Sequence, residues 1–171
     1  MRIAFIGPES SGKTTLSEIL AQKYTAELIT EYSRVYLAEI QTNYSYEDLE
    51  FIAKGQFNCI INSKENNLVI IDTDLISMQV WSEFKYNKCC DFIKENIFTQ
   101  QIDIYFLCKP DFPWIEDNLR ENPNDREVLF DLFIKILKEY KIDYKILEGS
   151  ITNRFQLCET NINSYLNNEK S

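Results

Sequence analysis

Between residues 7 and 15 the chain reads Gly7-Pro8-Glu9-Ser10-Ser11-Gly12-Lys13-Thr14-Thr15, which meets G-x-x-x-x-G-K-[ST] at every fixed position. This pattern restricts the fold more than any other stretch. It works only as a turn between a buried strand and a helix, because the two glycines must let the backbone fold back until successive N–H groups face one point. The flanks agree. Ile3-Ala4-Phe5-Ile6 is an apolar run of strand length, and Leu16, Ile19, Leu20 and Tyr24 share one helical face after Lys13. The chain has only four glycines in 171 residues, and two of them lie in this turn. Such a turn grips a phosphate chain. The helix N-terminus adds partial positive charge, Lys13 reaches the β- and γ-phosphates, the Thr14 hydroxyl takes Mg2+, and Thr15 faces the α-phosphate. The expected ATP-binding residues are therefore Gly7, Glu9, Ser10, Ser11, Gly12, Lys13, Thr14 and Thr15.

The remainder alternates strands with helices. Short apolar strands are expected at 26–30, 68–71, 102–108 and 144–147, and helices at 33–40, 45–62, 74–84, 89–98, 128–140 and 152–166. Ser45 with Asp48 opens the third helix as a capping pair. The continuous run Leu68-Val69-Ile70-Ile71 suits a central parallel strand covered on both faces. Alternation of this kind predicts a parallel sheet with helices on both sides. The expected fold class is α/β, a three-layer P-loop NTPase fold. One domain is expected over residues 1–171, with a lid at about 109–126, where Pro, Asp, Asn and Arg gather, and a fraying tail at 167–171.

Composition narrows the function. The net charge is −9 and the basic residues are scattered, so nucleic acid is not an expected partner. Histidine is absent, which removes histidine triads, imidazole bases and most zinc sites and leaves acid–base work to carboxylates, Lys or Tyr. Cys59, Cys89, Cys90, Cys108 and Cys158 are odd in number and form no C-x-x-C, which reads as reduced thiols serving as small core residues. No apolar stretch is long enough to span a bilayer, and the opening run is too short for a signal peptide, so no membrane partner and a cytoplasmic location are expected. Oligomeric state is left open.

Phosphate binding alone does not separate kinases from GTPases or motors. No N-K-x-D base-recognition element is present. A kinase needs a second pocket and a closing lid, and both have candidates, so the fold is expected to be nucleoside/nucleotide-kinase-like. Asp72 ends the third strand where a carboxylate would hold Mg2+ beside Thr14; its other reading, shared with Asp74, is the N-cap of the following helix. Glu31-Tyr32-Ser33-Arg34 follows the second strand at the ligand-binding end of the sheet, where Glu31 can accept a proton from a hydroxyl and Arg34 can bind substrate or anchor Glu31. Gly55-Gln56 interrupts a well-patterned helix, which close approach of either a ligand or another helix would justify. Trp114, Asp117, Arg120 and Arg126 stand on the lid segment, and its two arginines suit closure over a γ-phosphate.

Taken together, the P-loop, Glu31-Tyr32-x-Arg34, Gly55-Gln56, Asp72-Thr73-Asp74, Trp114-x-x-Asp117-x-Leu119-Arg120 and Arg126 resemble the ribosylnicotinamide kinase domain of NadR-type proteins along nearly the whole chain. The resemblance implies phosphorylation of the 5′-hydroxyl of nicotinamide riboside by Mg-ATP. Lys13, Glu31, Asp72, Arg120 and Arg126 would be the catalytic set. Glu31, Tyr32, Arg34, Tyr36, Gln56, Asp74, Trp114 and Asp117 would surround the substrate, with acidic residues facing the cationic pyridinium ring and Tyr32, Tyr36 or Trp114 stacked on it. Thr14 and Asp72 would hold the metal, and either Glu31 or Asp72 would direct the hydroxyl proton. By analogy with other P-loop kinases, adenine is expected near residues 149–154. Family members often carry an adenylyltransferase domain and a helix-turn-helix; with neither in the pattern, a stand-alone kinase is expected. The alternatives are another small P-loop nucleoside, nucleotide or coenzyme-precursor kinase, and a non-catalytic ATP-binding regulatory module.

Overall fold

The computed structural model describes residues 1–40, 44–63, 68–117 and 120–168. Among them, five strands form one parallel sheet: β1 (Arg2–Ile6), β2 (Glu27–Ile29), β3 (Val69–Asp72), β4 (Ile104–Cys108) and β5 (Tyr144–Leu147), in the order β2-β3-β1-β4-β5. The helices are α1 (Lys13–Tyr24), α2 (Tyr32–Ile40), α3 (Tyr46–Ile61), α4 (Leu75–Tyr86), α5 (Asp91–Asn96), α6 (Arg126–Glu139) and α7 (Ile151–Asn168).

The period-two alternation of each strand sorts its side chains into two cores. Ile3, Phe5, Ile70, Phe106 and Cys108 face α1 and α7. Ala4, Ile6, Val69, Ile71, Tyr105 and Leu107 face the layer of α3, α4 and α6. Residues 3–6 are completely buried, which explains why β1 carries no polar side chain after Arg2. Because all strands are parallel, the segments after β1, β2, β3, β4 and β5 emerge along one edge. The chain leaves β1 for β2 and β3 on one side and for β4 and β5 on the other, so the P-loop turn lies where the strand order reverses, the usual ligand crevice of such sheets.

Departures from expectation are local. The helix expected over 89–98 starts later, at Asp91 after an extended Cys90, and is split into α5 and a 3-10 turn at Phe98–Gln100. Ile19, placed on a packed face by periodicity, and Val128, at the start of the helix expected over 128–140, are 38% and 57% exposed. They sit one 100° step away from the stripes that pack, which are Leu16, Leu20 and Ala21 on α1 and Leu129, Phe130, Phe133, Ile136 and Leu137 on α6. The last helix runs through Asn168, so the first residues expected to fray are helical; 169–171 lie outside the described residues. Cys108 and Cys158 are core residues as expected, and burial pushes the Cys108 thiol up to about 12, but Cys59 is exposed.

Candidate active site

The turn after β1 has the shape that its two glycines permit. Gly7 has φ 135°, and a Cβ there would lie 2.5 Å from the Cys108 carbonyl oxygen, because the loop crosses directly over the end of β4. Gly12 has φ 85° and begins α1 with no side-chain cap, so the first-turn N–H groups of that helix are left for a ligand. The Lys13 ammonium donates to Gly7 O and Pro8 O, both at 2.8 Å, and Ser11 Oγ donates to Pro8 O at 2.7 Å.

Behind the turn stands a residue that sequence reading placed only at the end of the stretch expected near adenine. Arg154 is fully buried. Its guanidinium donates to Ser11 O at 2.8 Å, Gly149 O at 3.0 Å, Lys109 O at 3.1 Å and the Asp111 carboxylate, and it stacks on the Phe112 ring with 4.4 Å to the centroid. One side chain thus ties together the segments that follow β1, β4 and β5. The sequence signal was a lone Arg inside a helix expected to pack.

Thr14 Oγ1 donates to Asp72 Oδ2 at 2.6 Å. Asp72 is 3% exposed, and its Oδ1 has no hydrogen-bond partner among the described residues. Burial raises its pKa; the nearby Lys13 ammonium and the Thr14 hydrogen bond oppose the rise. A hydroxyl next to a buried carboxylate with an unpaired oxygen fits Mg2+, which prefers hard oxygen ligands and needs few of them from the protein. Thr73, immediately after, has φ 78°, a strained value for a β-branched residue, and its N–H donates to Phe5 O at 3.2 Å.

Two cavities meet at this point, and Glu9, Lys13 and Glu31 line both. The first, of about 330 Å³, runs along residues 9–15 to Phe112, Ile115, Arg120 and Ile151. Ile151 lies within the 149–154 stretch where adenine was expected. The second, of about 70 Å³, is walled by Thr73, Ser77, Trp81, Asn122 and Phe133. Glu31 stands at the junction: Ser33 Oγ donates to its Oε1 at 2.7 Å, and Arg34 Nε lies 3.6 Å from Oε2. Arg34 also reaches Asp117 at 3.2 Å, joining α2 to the lid segment.

Several expected substrate residues are elsewhere. Asp74 is wholly buried and caps α4, accepting from Ser77 N at 3.2 Å, Gln100 Nε2 at 3.3 Å and Tyr105 Oη at 3.1 Å; of its two readings, the structural one holds. Gln56 is likewise buried, its Oε1 accepting from Tyr32 N at 2.7 Å. The Gly55 choice is resolved in favour of packing: a Cβ there would lie 2.2 Å from the Tyr32 ring, so the glycine makes room for that ring and not for a ligand. Tyr32 therefore packs on α3, and Tyr36 donates to Asp48 Oδ1 at 2.6 Å, away from both cavities. Arg126 starts α6 and donates to Phe112 O at 2.8 Å beneath Trp114, bracing the lid base, whereas Arg120 lines the first cavity. Asn118 and Leu119 of the expected lid lie outside the described residues. The aromatic walls of the second cavity, Trp81 and Phe133, are not singled out by the sequence, where they are two apolar residues among many in the helices expected over 74–84 and 128–140.

A five-stranded parallel sheet with a phosphate-binding turn after the central strand, a buried carboxylate beside it, and a second cavity across from it under an irregular segment defines a P-loop, kinase-like nucleotide-binding domain. The sequence pattern of one protein family, described as an AAA domain, matches residues 2–154, and the chain belongs to that family. The trifunctional NAD biosynthesis/regulator protein NadR of Salmonella typhimurium is 29% identical over 165 residues, and that of Escherichia coli 28%. Each alignment covers 91% of this chain and 40% of the relative, so the chain spans less than half the length of the curated relatives it matches. Among solved structures, NadR in complex with NR superposes with a TM-score of 0.74 at 21% identity, over 87% of this chain and 44% of that one. A deoxyadenosine kinase from M. mycoides gives 0.68 at 15% identity over 96% and 100%, and a thymidylate kinase from Ehrlichia chaffeensis 0.69 at 17% over 94% and 97%. Those kinases share the fold. No helix among the described residues is long and apolar enough to cross a membrane.

Proposed function

We propose that the protein transfers the γ-phosphoryl group of ATP to the 5′-hydroxyl of nicotinamide riboside, giving nicotinamide mononucleotide and ADP, as a cytoplasmic kinase. The observation that carries this reading is the position of Glu31, a carboxylate at the meeting point of a phosphate-binding cavity and a second cavity walled by Trp81 and Phe133. A pyridinium ring carries fixed positive charge, and aromatic faces with a carboxylate nearby attract it where a neutral base would gain less. The similarity to NadR supports the same substrate. The second cavity is narrower than a nucleoside needs, so the riboside must widen it on entry, and its Asn122 wall belongs to the irregular lid.

In this mechanism the triphosphate lies along residues 7–15, with adenine toward Phe112 and Ile151. Lys13 exchanges its loop carbonyls for the β- and γ-phosphate oxygens. Thr14 and Asp72 would hold Mg2+, which neutralises phosphate charge when bound. Glu31 orients the 5′-hydroxyl and takes its proton as that oxygen bonds to the γ-phosphorus and the bond to the β-phosphate oxygen breaks. Asp72 suits the base role less, because beside the Thr14 hydroxyl it would be engaged with Mg2+. Arg120 offsets charge on the transferring group.

The test is acceptor-dependent ADP release, with nicotinamide riboside against adenosine, deoxyadenosine, thymidine and thymidylate. Nicotinamide riboside should give the highest kcat/KM, and Lys13→Ala should lose at least about a hundredfold in turnover with an unchanged circular dichroism spectrum. Faster turnover of a deoxynucleoside or a monophosphate would shift the reading to that kinase class. ADP release indifferent to every acceptor would leave a nucleotide-binding module.

A further inference from the structure

Glu9 is an odd residue for an anion site. It puts a carboxylate inside the turn that grips phosphates, where a second negative charge opposes the ligand. Its geometry gives it other work. Glu9 Oε1 accepts the N–H of Glu121 at 3.1 Å and Oε2 accepts the N–H of Asn122 at 3.0 Å, so both oxygens are bound to successive backbone groups of the lid segment. The next residue does the same at the segment's other end. Ser10 Oγ accepts from Ile115 N at 3.2 Å and donates to Ile115 O at 3.3 Å, from a backbone at φ 52°. Arg120 lies between these two anchors and donates to the same Ile115 carbonyl at 2.6 Å while lining the nucleotide cavity. Asn122 lines the second cavity. The Glu121 carboxylate is held in turn by Lys85 at 2.9 Å and by Tyr44 Oη at 2.8 Å, and the Tyr44 ring meets Trp81 edge-on with centroids 5.2 Å apart.

We propose that Glu9 is a positioning residue that latches the lid onto the phosphate-binding turn through the Glu121 and Asn122 amides, setting Arg120 over the nucleotide and Asn122 against the acceptor. The turn is then also the docking platform of the lid, and the state of the lid is transmitted to the acceptor wall through Glu121, Tyr44 and Trp81. This rests on the kinase reading above for its catalytic consequence, but not for the latch itself. A charge-assisted pair of hydrogen bonds from backbone amides to one carboxylate is strong and directional, and an alanine in its place offers neither.

Glu9→Ala should lower kcat at least tenfold while leaving the Kd of AMP-PNP, measured without acceptor, within twofold of wild type. In an Arg120→Ala background the same change should cost less than it does in the wild-type chain, because one of the two residues through which Glu9 acts is already gone. Glu9→Gln, which keeps one acceptor oxygen, should fall between. The latch is also read without turnover. In a Trp81→Phe chain the remaining tryptophan is Trp114 on the lid, and Glu9→Ala should raise its acrylamide quenching constant at least twofold. A tenfold loss of AMP-PNP affinity, losses that multiply with those of Arg120→Ala, or an unchanged quenching constant would each overturn the proposal. Failure of nicotinamide riboside as acceptor would overturn the functional reading and leave the quenching result to judge the latch.

Discussion

Arg154 offers the sharpest test of how the site is held. Truncating it to alanine removes the donors for three backbone carbonyls, at Ser11, Gly149 and Lys109, together with the partner of Asp111 and the stack on Phe112. Hydrogen bonds to a charged group contribute about 1.5–3 kcal/mol each, so the gross loss is large. Two effects reduce it: the guanidinium no longer has to be desolvated, and the Asp111 side chain, about 30% exposed, can regain water. Removing one partner of a buried pair costs about 3–5 kcal/mol, and about 4 is the expectation here. For a chain of this size each kcal/mol moves Tm by about 2–4 °C, so Arg154→Ala should melt roughly 8–16 °C lower. Lysine restores the charge but not the planar fork that reaches several acceptors at once, and should recover less than half of the loss. Methionine restores the packing on Phe112 without donors and should behave nearly as alanine does. Urea unfolding followed by circular dichroism, with calorimetry for Tm, reads all three variants. A methionine variant within about 1 kcal/mol of wild type would refute the reasoning, because packing alone would then account for the residue.

Three further outcomes follow from the geometry. Gly55→Ala gains about 1 kcal/mol of helix propensity but puts a methyl group into the Tyr32 ring, so it should destabilise the protein in urea titrations yet stabilise it in a Tyr32→Ala background; equal effects in both backgrounds would sink the packing explanation. Glu31→Gln should lower kcat by about 10²–10⁴ with ATP affinity unchanged, and turnover near wild type would remove Glu31 as the proton acceptor. Burial raises the Asp74 pKa above its ordinary 3.8, so over the window from there to the raised value the folded chain holds a proton that the unfolded chain has released, and Asp74 erodes stability as pH rises. Asp74→Asn should therefore gain stability relative to wild type as pH climbs through that window, and a difference independent of pH would contradict the burial.

Much of the fold and part of the site were legible in the linear chain because they depend on near neighbours. Gly7, Gly12, Lys13 and Thr14 form their turn within eight residues, the strands declare themselves by apolar runs, and the Ser45–Asp48 capping box closes over three residues. Each of these is decided by local sterics and by periods of two or 3.6 residues. The identity of the pocket walls was not available in that way. Asp74 could cap or bind, and what decided it was the arrival of Gln100 and Tyr105, 26 and 31 residues further on. Trp81 and Phe133 carry the same helical spacing as core residues, and they become cavity walls only because α4 and α6 pack side by side at the edge of the sheet where Glu31 and the P-loop emerge. Glu9 looked like part of the phosphate cradle until the lid, more than 110 residues away, brought two amides to it. Arg154 looked like one charge on a helix until three strand ends converged on it. What the sequence alone determined, then, was the presence of a phosphate-gripping turn in an alternating α/β chain, since short-range geometry suffices for that. Which side chains face the ligand and which hold the frame was decided by tertiary packing, because the free energy of a buried polar group depends on partners that only the folded sheet brings within reach.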